Sequence, residues 1–161
     1  MRKIFFLILI ASLLLLSSCG TEKFTYCELR LPLGSEFRSE ESDGFDATYT
    51  DGDATVFVTR ISFEAAFADG IPDTYSPLAF ARFYQLNNSH EGLEIDTSSH
   101  VPRYSYTGSD GEATLFMMHT FYRTPYAYFV VTYSCDEGLM TEYEDDFIRC
   151  ADGAKIIDYN G

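Results

Sequence analysis

Three histidines, His90, His100 and His119, are the first residues to test for chemistry, because imidazole titrates near neutrality and binds metals. The run His90-Glu91-Gly92-Leu93-Glu94 lacks the second histidine of a zinc-protease helix, and no histidine has another His or Cys at metal-ligand spacing. His119 falls in strand alternation with Leu115, Met117 and Phe121, the pattern of a hydrogen-bonded histidine rather than a ligand. No GxSxG frame marks a nucleophilic serine. Asp51-Gly52-Asp53 and Asp110-Gly111-Glu112 are fragments of an oxygen-rich calcium loop, but the further ligands and the closing glutamate are missing. Both read as turns, with a weak surface calcium site built from several loops as the alternative. Glu142, Glu144, Asp145 and Asp146 fall on the outer side of an amphipathic helix pattern, a solvated face rather than a carboxylate pair for acid–base work. The expectation is therefore no catalytic residue, no metal and no cofactor. The alternative is a hydrolase that uses these acids or His119.

The composition points to contact instead. There are 12 tyrosines and 14 phenylalanines and no tryptophan. Tyr104, Tyr106, Tyr122, Tyr126 and Tyr128 gather around two turns. Tyrosine joins a broad apolar ring to a polar tip and suits protein contacts, so these five form a candidate binding edge. Tyrosine is also a good strand former, which explains the same residues without a partner.

The elements that would position them begin after a distinct amino terminus. Arg2 and Lys3 precede the uncharged run Ile4 to Leu16, followed by Ser17 and Ser18. This is the layout of a secretory signal peptide, and the run is shorter than the roughly 20 residues of a membrane-spanning helix. Leu16-Ser17-Ser18-Cys19 resembles the lipobox of bacterial lipoproteins. The resemblance implies cleavage before Cys19 and diacylglycerol on its sulfur, with two or more acyl chains giving stable attachment. The domain plan is a signal peptide over 1–18, a lipidated cysteine and short tether over 19–23, and one domain over 24–161.

Cleavage removes 18 of the 161 residues, two of the 11 basic groups and none of the 25 acids, moving the net charge from −14 to −16 over 143 residues. A chain this acidic has no electrostatic basis for binding nucleic acid. Cys27, Cys135 and Cys150 remain. Export permits a disulfide, and Cys135–Cys150 is the candidate pair, leaving Cys27 spare. Such a loop of about fifteen residues would contribute roughly 3 kcal/mol. Three buried, unpaired thiols are the competing reading.

Phe24 to Leu33 reads as a first strand. Phe45 to Phe63 reads as a hairpin turning at Asp51-Gly52, its second strand apolar on both sides and so covered on both faces. Ser76 to Asn88 carries a capping serine, a first-turn proline and an apolar stripe at Ala79, Phe80, Phe83 and Leu86, a helix lying on the sheet. Tyr104 to Cys135 holds three strands in an antiparallel meander. Met140, Tyr143, Phe147 and Cys150 then recur at helical spacing, and Ala154 to Ile157 adds a short strand. The fold class is α+β, an antiparallel meander flanked by helices.

The start "LPLGSEF", the hairpin "FDATYTDGDATVFV", the strand "YAYFVVTYSC" and the helix "YEDDFIRCADGAKI" together resemble the PsbP-like α/β/α sandwich, a superfamily that includes many bacterial lipoproteins. The resemblance spans most of 24–158 and implies a fold without implying a catalytic residue. The resulting expectation is an extracytoplasmic cell-envelope domain, held to the membrane through lipid on Cys19. It would bind a partner protein or small ligand without catalysis. An envelope hydrolase and a structural or transporter-accessory lipoprotein are the alternatives.

Overall fold

The computed structural model describes residues 27–109, 111 and 113–159. The signal peptide, Cys19, the tether and Phe24 to Tyr26 of the first expected strand lie outside the described residues, as do Asp110 and Glu112.

The strands are β1 (Cys27–Arg30), β2 (Arg38–Glu40), β3 (Ala47–Thr50), β4 (Ala54–Ser62), β5 (Arg103–Ser109), β6 (Thr114–Arg123), β7 (Ala127–Asp136) and β8 (Lys155–Asp158). The helices are α1 (Phe63–Ala68), α2 (Pro77–Asn87) and α3 (Met140–Asp152). Six strands form one antiparallel sheet in the order β2-β3-β4-β7-β6-β5, and β1 pairs with β8 in a separate ribbon. Among the described residues no helix is long and apolar enough to cross a membrane.

Strand parity sorts the sheet into two faces. Ala54, Val56, Val58, Phe129, Val131, Tyr133 and Cys135 point to one side, where Phe147, Cys150 and Ala151 of α3 cover them. Tyr104, Phe121, Tyr128 and Val130 point to the other, under Ala66 of α1 and Phe80 and Ala81 of α2. The result is the expected α/β/α arrangement, with β7 buried on both sides, whereas β4 is buried at Ala54, Val56 and Val58 on the α3 face and only half-buried at Phe57 and Ile61 on the other, short of the full cover its sequence predicts.

Local chemistry sets the boundaries. The Ser76 hydroxyl accepts from the Ala79 N–H and Pro77 occupies the first turn of α2, as the sequence predicts. The β3–β4 turn is held by the Asp51 carboxylate, which accepts from the N–H groups of Asp53 (3.0 Å) and Ala54 (2.8 Å), while Gly52 takes φ +105°. Two elements depart from the expectation. The hairpin strand ends at Ser62, which caps the six-residue helix α1 through the Ala65 N–H. The exposed edge strand β2, with no apolar alternation, precedes β3. The final strand exists as expected, but it joins β1 rather than the main sheet. A Cβ on Gly153 would lie 3.0 Å from the Pro32 ring, so glycine lets the chain after β1 run against the end of α3.

Candidate functional site

The histidines occupy a polar cluster beneath α2. His119 Nδ1 lies 2.8 Å from Thr132 Oγ1 on β7, and its Nε2 lies 3.4 Å from the Tyr106 hydroxyl on β5. His90, in the segment after α2, bonds through Nδ1 to the Tyr104 hydroxyl at 3.0 Å, with its ring centroid 5.8 Å from that of His119. Tyr84 of α2 closes the cluster, 5.7 Å from the His119 ring. Either neutral tautomer of His119 is satisfied, since a hydroxyl can donate or accept at each nitrogen. Burial, and then the nearby His90, lower the His119 pKa from 6.5 to about 4. The ring is thus a neutral bonding group in a wall of aromatics.

Burial also raises the Tyr104 hydroxyl well above its ordinary value, with Tyr84 and Tyr106 adding to the effect. A phenol held neutral in this way donates a hydrogen bond and does not act as a base at physiological pH.

The expected tyrosine edge is corrected by this geometry. Tyr104 and Tyr128 are buried on the α1/α2 face, where Tyr128 donates to the carbonyls of Pro72 (2.7 Å) and Tyr75 (3.2 Å). Tyr122 is buried on the opposite face and donates to the Ala151 carbonyl at 3.0 Å. Tyr106 and Tyr126 remain half-buried. Proximity to turns in sequence hid the alternation that sends these rings to different layers, and their hydroxyls serve the fold.

The cysteine pairing is corrected too. Cys27, Cys135 and Cys150 are free, buried thiols. Cys150 Sγ accepts from the Tyr133 hydroxyl at 3.7 Å near the end of α3. The charges acting on Cys135 are those of Asp136 and Asp51, at the other end of that helix. The Asp51 carboxylate accepts from Tyr143 at 2.9 Å, and Tyr143 lies seven residues before Cys150, about 10 Å along the axis. A disulfide needs Cα atoms within roughly 7 Å. Burial pushes all three thiols up.

The fold leaves open a groove of about 300 Å³ between the segment after β1 and the edge of α3 where its buried stripe, Tyr143, Phe147 and Cys150, meets Asp146 and Arg149. Leu33, Phe37, Tyr143 and Phe147 form its apolar walls, while Glu36, Asp146 and Arg149 stand at its rim. Arg149 is held by Asp146 one helical turn away. Tyr143 stacks on Phe147 with centroids 5.5 Å apart, and its bond to Asp51 fixes the floor to the β3–β4 turn. Other hollows lie elsewhere among the described residues. One of about 520 Å³ lies between α1 and α2 beside Ile71, Phe83 and Asn87, and one of about 320 Å³ lies beside Glu94, Arg103 and Glu144. His119 lines none of these three cavities. Among the described residues no group of three His, Cys, Asp or Glu side chains converges as metal ligands would.

The groove was missed from sequence because its walls lie more than a hundred residues apart. One signal was present: Phe37 is a lone aromatic in the polar run Gly34-Ser35-Glu36-Phe37-Arg38-Ser39.

No protein-family model and no curated protein matches the chain. Solved structures do. LpqN, a protein of Mycobacterium tuberculosis described as involved in cell envelope biogenesis, superposes with a TM-score of 0.50 at 10% identity, covering 84% of this chain and 87% of that one. The cyanobacterial PsbP of Synechocystis matches with a TM-score of 0.45 at 13% identity, over 87% and 98%. A Pseudomonas aeruginosa protein of unknown function, described as a putative regulator, matches at 0.43 and 14%, over 83% and 85%. The likeness to LpqN is one of fold.

Proposed function

We propose that this protein is a cell-envelope domain, anchored by lipid on Cys19, that binds an apolar ligand group in the groove between Pro32–Phe37 and α3 without transforming it. The groove carries the reading. It joins a wall of Leu33, Phe37, Tyr143 and Phe147 to a charged rim, the composition of a small-ligand site, and its volume is at the lower end for such sites. The groups suited to catalysis are committed elsewhere: His119 to Thr132 and Tyr106, and Asp51 to the backbone of its turn and to Tyr143. The lipobox-like Leu16 to Cys19 supports the address. The envelope role described for LpqN accords with it, although a shared fold assigns no activity by itself.

Anilinonaphthalene sulfonate, an apolar fluorophore with an anionic group, tests the groove in the mature protein. Phe37→Ser and Phe147→Ala should each weaken saturable probe binding at least fivefold, with near-ultraviolet circular dichroism reporting that the fold is kept. Unchanged affinity in a folded Phe37→Ser protein would overturn the assignment.

A further inference from the structure

The amino-terminal strand β1 is fixed in the fold. Cys27, the first residue of β1, is paired with Asp158 of β8, and its thiol neighbours Thr124 in the β6–β7 turn and Arg60 near the end of β4. That is one end of the sandwich. Ser62 is paired there with Ala127, and the Phe63 N–H donates to the Tyr126 carbonyl at 3.3 Å, docking the start of α1 on the same turn. Arg123 lies over the Phe63 ring at 5.4 Å and donates to the Asp73 carbonyl, bracing the corner. Phe67 lies four residues beyond Phe63, about 6 Å along the axis, and is 77% exposed.

From Cys19 to Cys27 there are eight residue steps, which span about 28 Å at most. β7 alone runs the length of the sheet from Ala127 to Asp136, about 30 Å. A chain tied to lipid at Cys19 therefore keeps the Cys27 end near the bilayer, and to present the far end instead the tether would have to run almost straight along the sheet. Charge does not separate the two ends, because both are acidic, so the tether decides. The far end carries Asp51 and Asp53 at the β3–β4 turn, Asp136 at the end of β7 and Glu137 after it, beside Arg38 opposite Thr50, and an anionic surface repels this end. The near end carries Arg60 and Arg123 beside Glu64, Asp73 and Asp158, with Asp46 accepting from the Arg60 N–H and Asp69 capping α1, so it is acidic as well.

We infer that the end formed by the β6–β7 turn and α1 is a membrane-seating surface, with Phe67 and Tyr126 entering the headgroup layer of a neutral lipid bilayer. This rests on the lipid anchor at Cys19. Aromatic side chains favour that layer, and an acidic corner seats by apolar contact rather than by attraction to anionic lipid. The seat leaves the groove along α3 on the side of the domain, open to the envelope space.

The absence of tryptophan makes the test direct. Full-length chain isolated with its lipid and carrying Phe67→Trp, Tyr126→Trp or, at the far turn, Asp53→Trp is reconstituted into phosphatidylcholine vesicles with brominated acyl chains. Flotation reads the anchor and quenching reads the seat. Protein that floats with fluorescence at least halved for the Phe67 and Tyr126 reporters, and unchanged for the Asp53 reporter, is the expected result. Protein that floats with all three reporters equally unquenched overturns the seating surface and leaves the anchor standing. Protein that does not float overturns both.

Discussion

The guanidinium of Arg103 and the carboxylate of Asp152 meet at 2.9 Å, tying the edge strand β5 to the last turn of α3. The same guanidinium holds Asp96 at 2.8 Å, and the backbones of Asp96 and Arg103 exchange two hydrogen bonds. Asp152 also accepts from the Ser99 hydroxyl at 2.8 Å. One buried cation thus fastens the segment before β5 to both the sheet and the helix. The arginine side chain is 8% exposed, whereas Asp152 and Asp96 are 33% and 45% exposed, so solvent screens part of the attraction.

Arg103→Met should therefore destabilise the protein by about 2 kcal/mol, less than the roughly 3–5 kcal/mol of a fully buried pair. Asp152→Asn keeps an oxygen acceptor and should cost roughly 1 kcal/mol. Urea unfolding measures both, and the double variant should cost less than the two single effects added together. Parent-like stability in Arg103→Met would show that the contact does not brace the fold.

Among the described residues, the Thr48 hydroxyl on β3 is buried without a hydrogen-bond partner, and the residue is 4% exposed. Desolvating a hydroxyl without a compensating bond is unfavourable, and valine has nearly the same shape. Thr48→Val should raise the unfolding free energy by about 1 kcal/mol, seen as a higher urea midpoint with an unchanged slope. A lower midpoint would mean that the hydroxyl does have a partner.

How much was legible in the sequence depends on how local each signal is. Ser76-Pro77 marks the start of α2, Asp51-Gly52 the hairpin turn, and Met140, Tyr143, Phe147 and Cys150 the buried stripe of α3; each signal is contained within a few turns of chain. β2 and α1 escaped because one is entirely exposed and the other is six residues long with Ala66 alone buried, too little for a period to register. The β1–β8 ribbon joins residues more than 120 positions apart, and nothing in either strand names the other. The candidate site fared worse for the same reason. Tyr104, Tyr122 and Tyr128 were recognisable as unusual, but whether a ring meets solvent depends on the helix above it, and α1, α2 and α3 cover these three. The groove exists because the segment after β1 returns beside a helix formed at the other end of the chain.

The His119 cluster makes a prediction about pH. Its folded pKa of about 4 lies below the ordinary 6.5, so the unfolded chain takes up a proton on this residue before the folded protein does. Stability from the neutral ring is fully present above pH 6.5 and is lost as the pH falls towards 4, amounting to about 3 kcal/mol at most. The groups facing the ring are Tyr84 of α2, His90 of the following segment, Tyr104 and Tyr106 of β5 and Thr132 of β7. None is a carboxylate that would stabilise the imidazolium. Asp51 falls in a separate window. Burial alone would raise its pKa, but the N–H groups of Ala54 and Asp53 outweigh burial and hold the carboxyl below 3.8, so its contribution disappears only at more acidic pH. Urea unfolding between pH 7 and pH 4 should show a decline that His119→Gln flattens, although that variant starts from a lower stability at pH 7. His90→Gln removes the second cause of the depression and should bring the His119 ring titration, followed by NMR, closer to its ordinary value. Equal declines in the parent and His119→Gln, together with a ring that titrates near 6.5, would refute the buried neutral histidine.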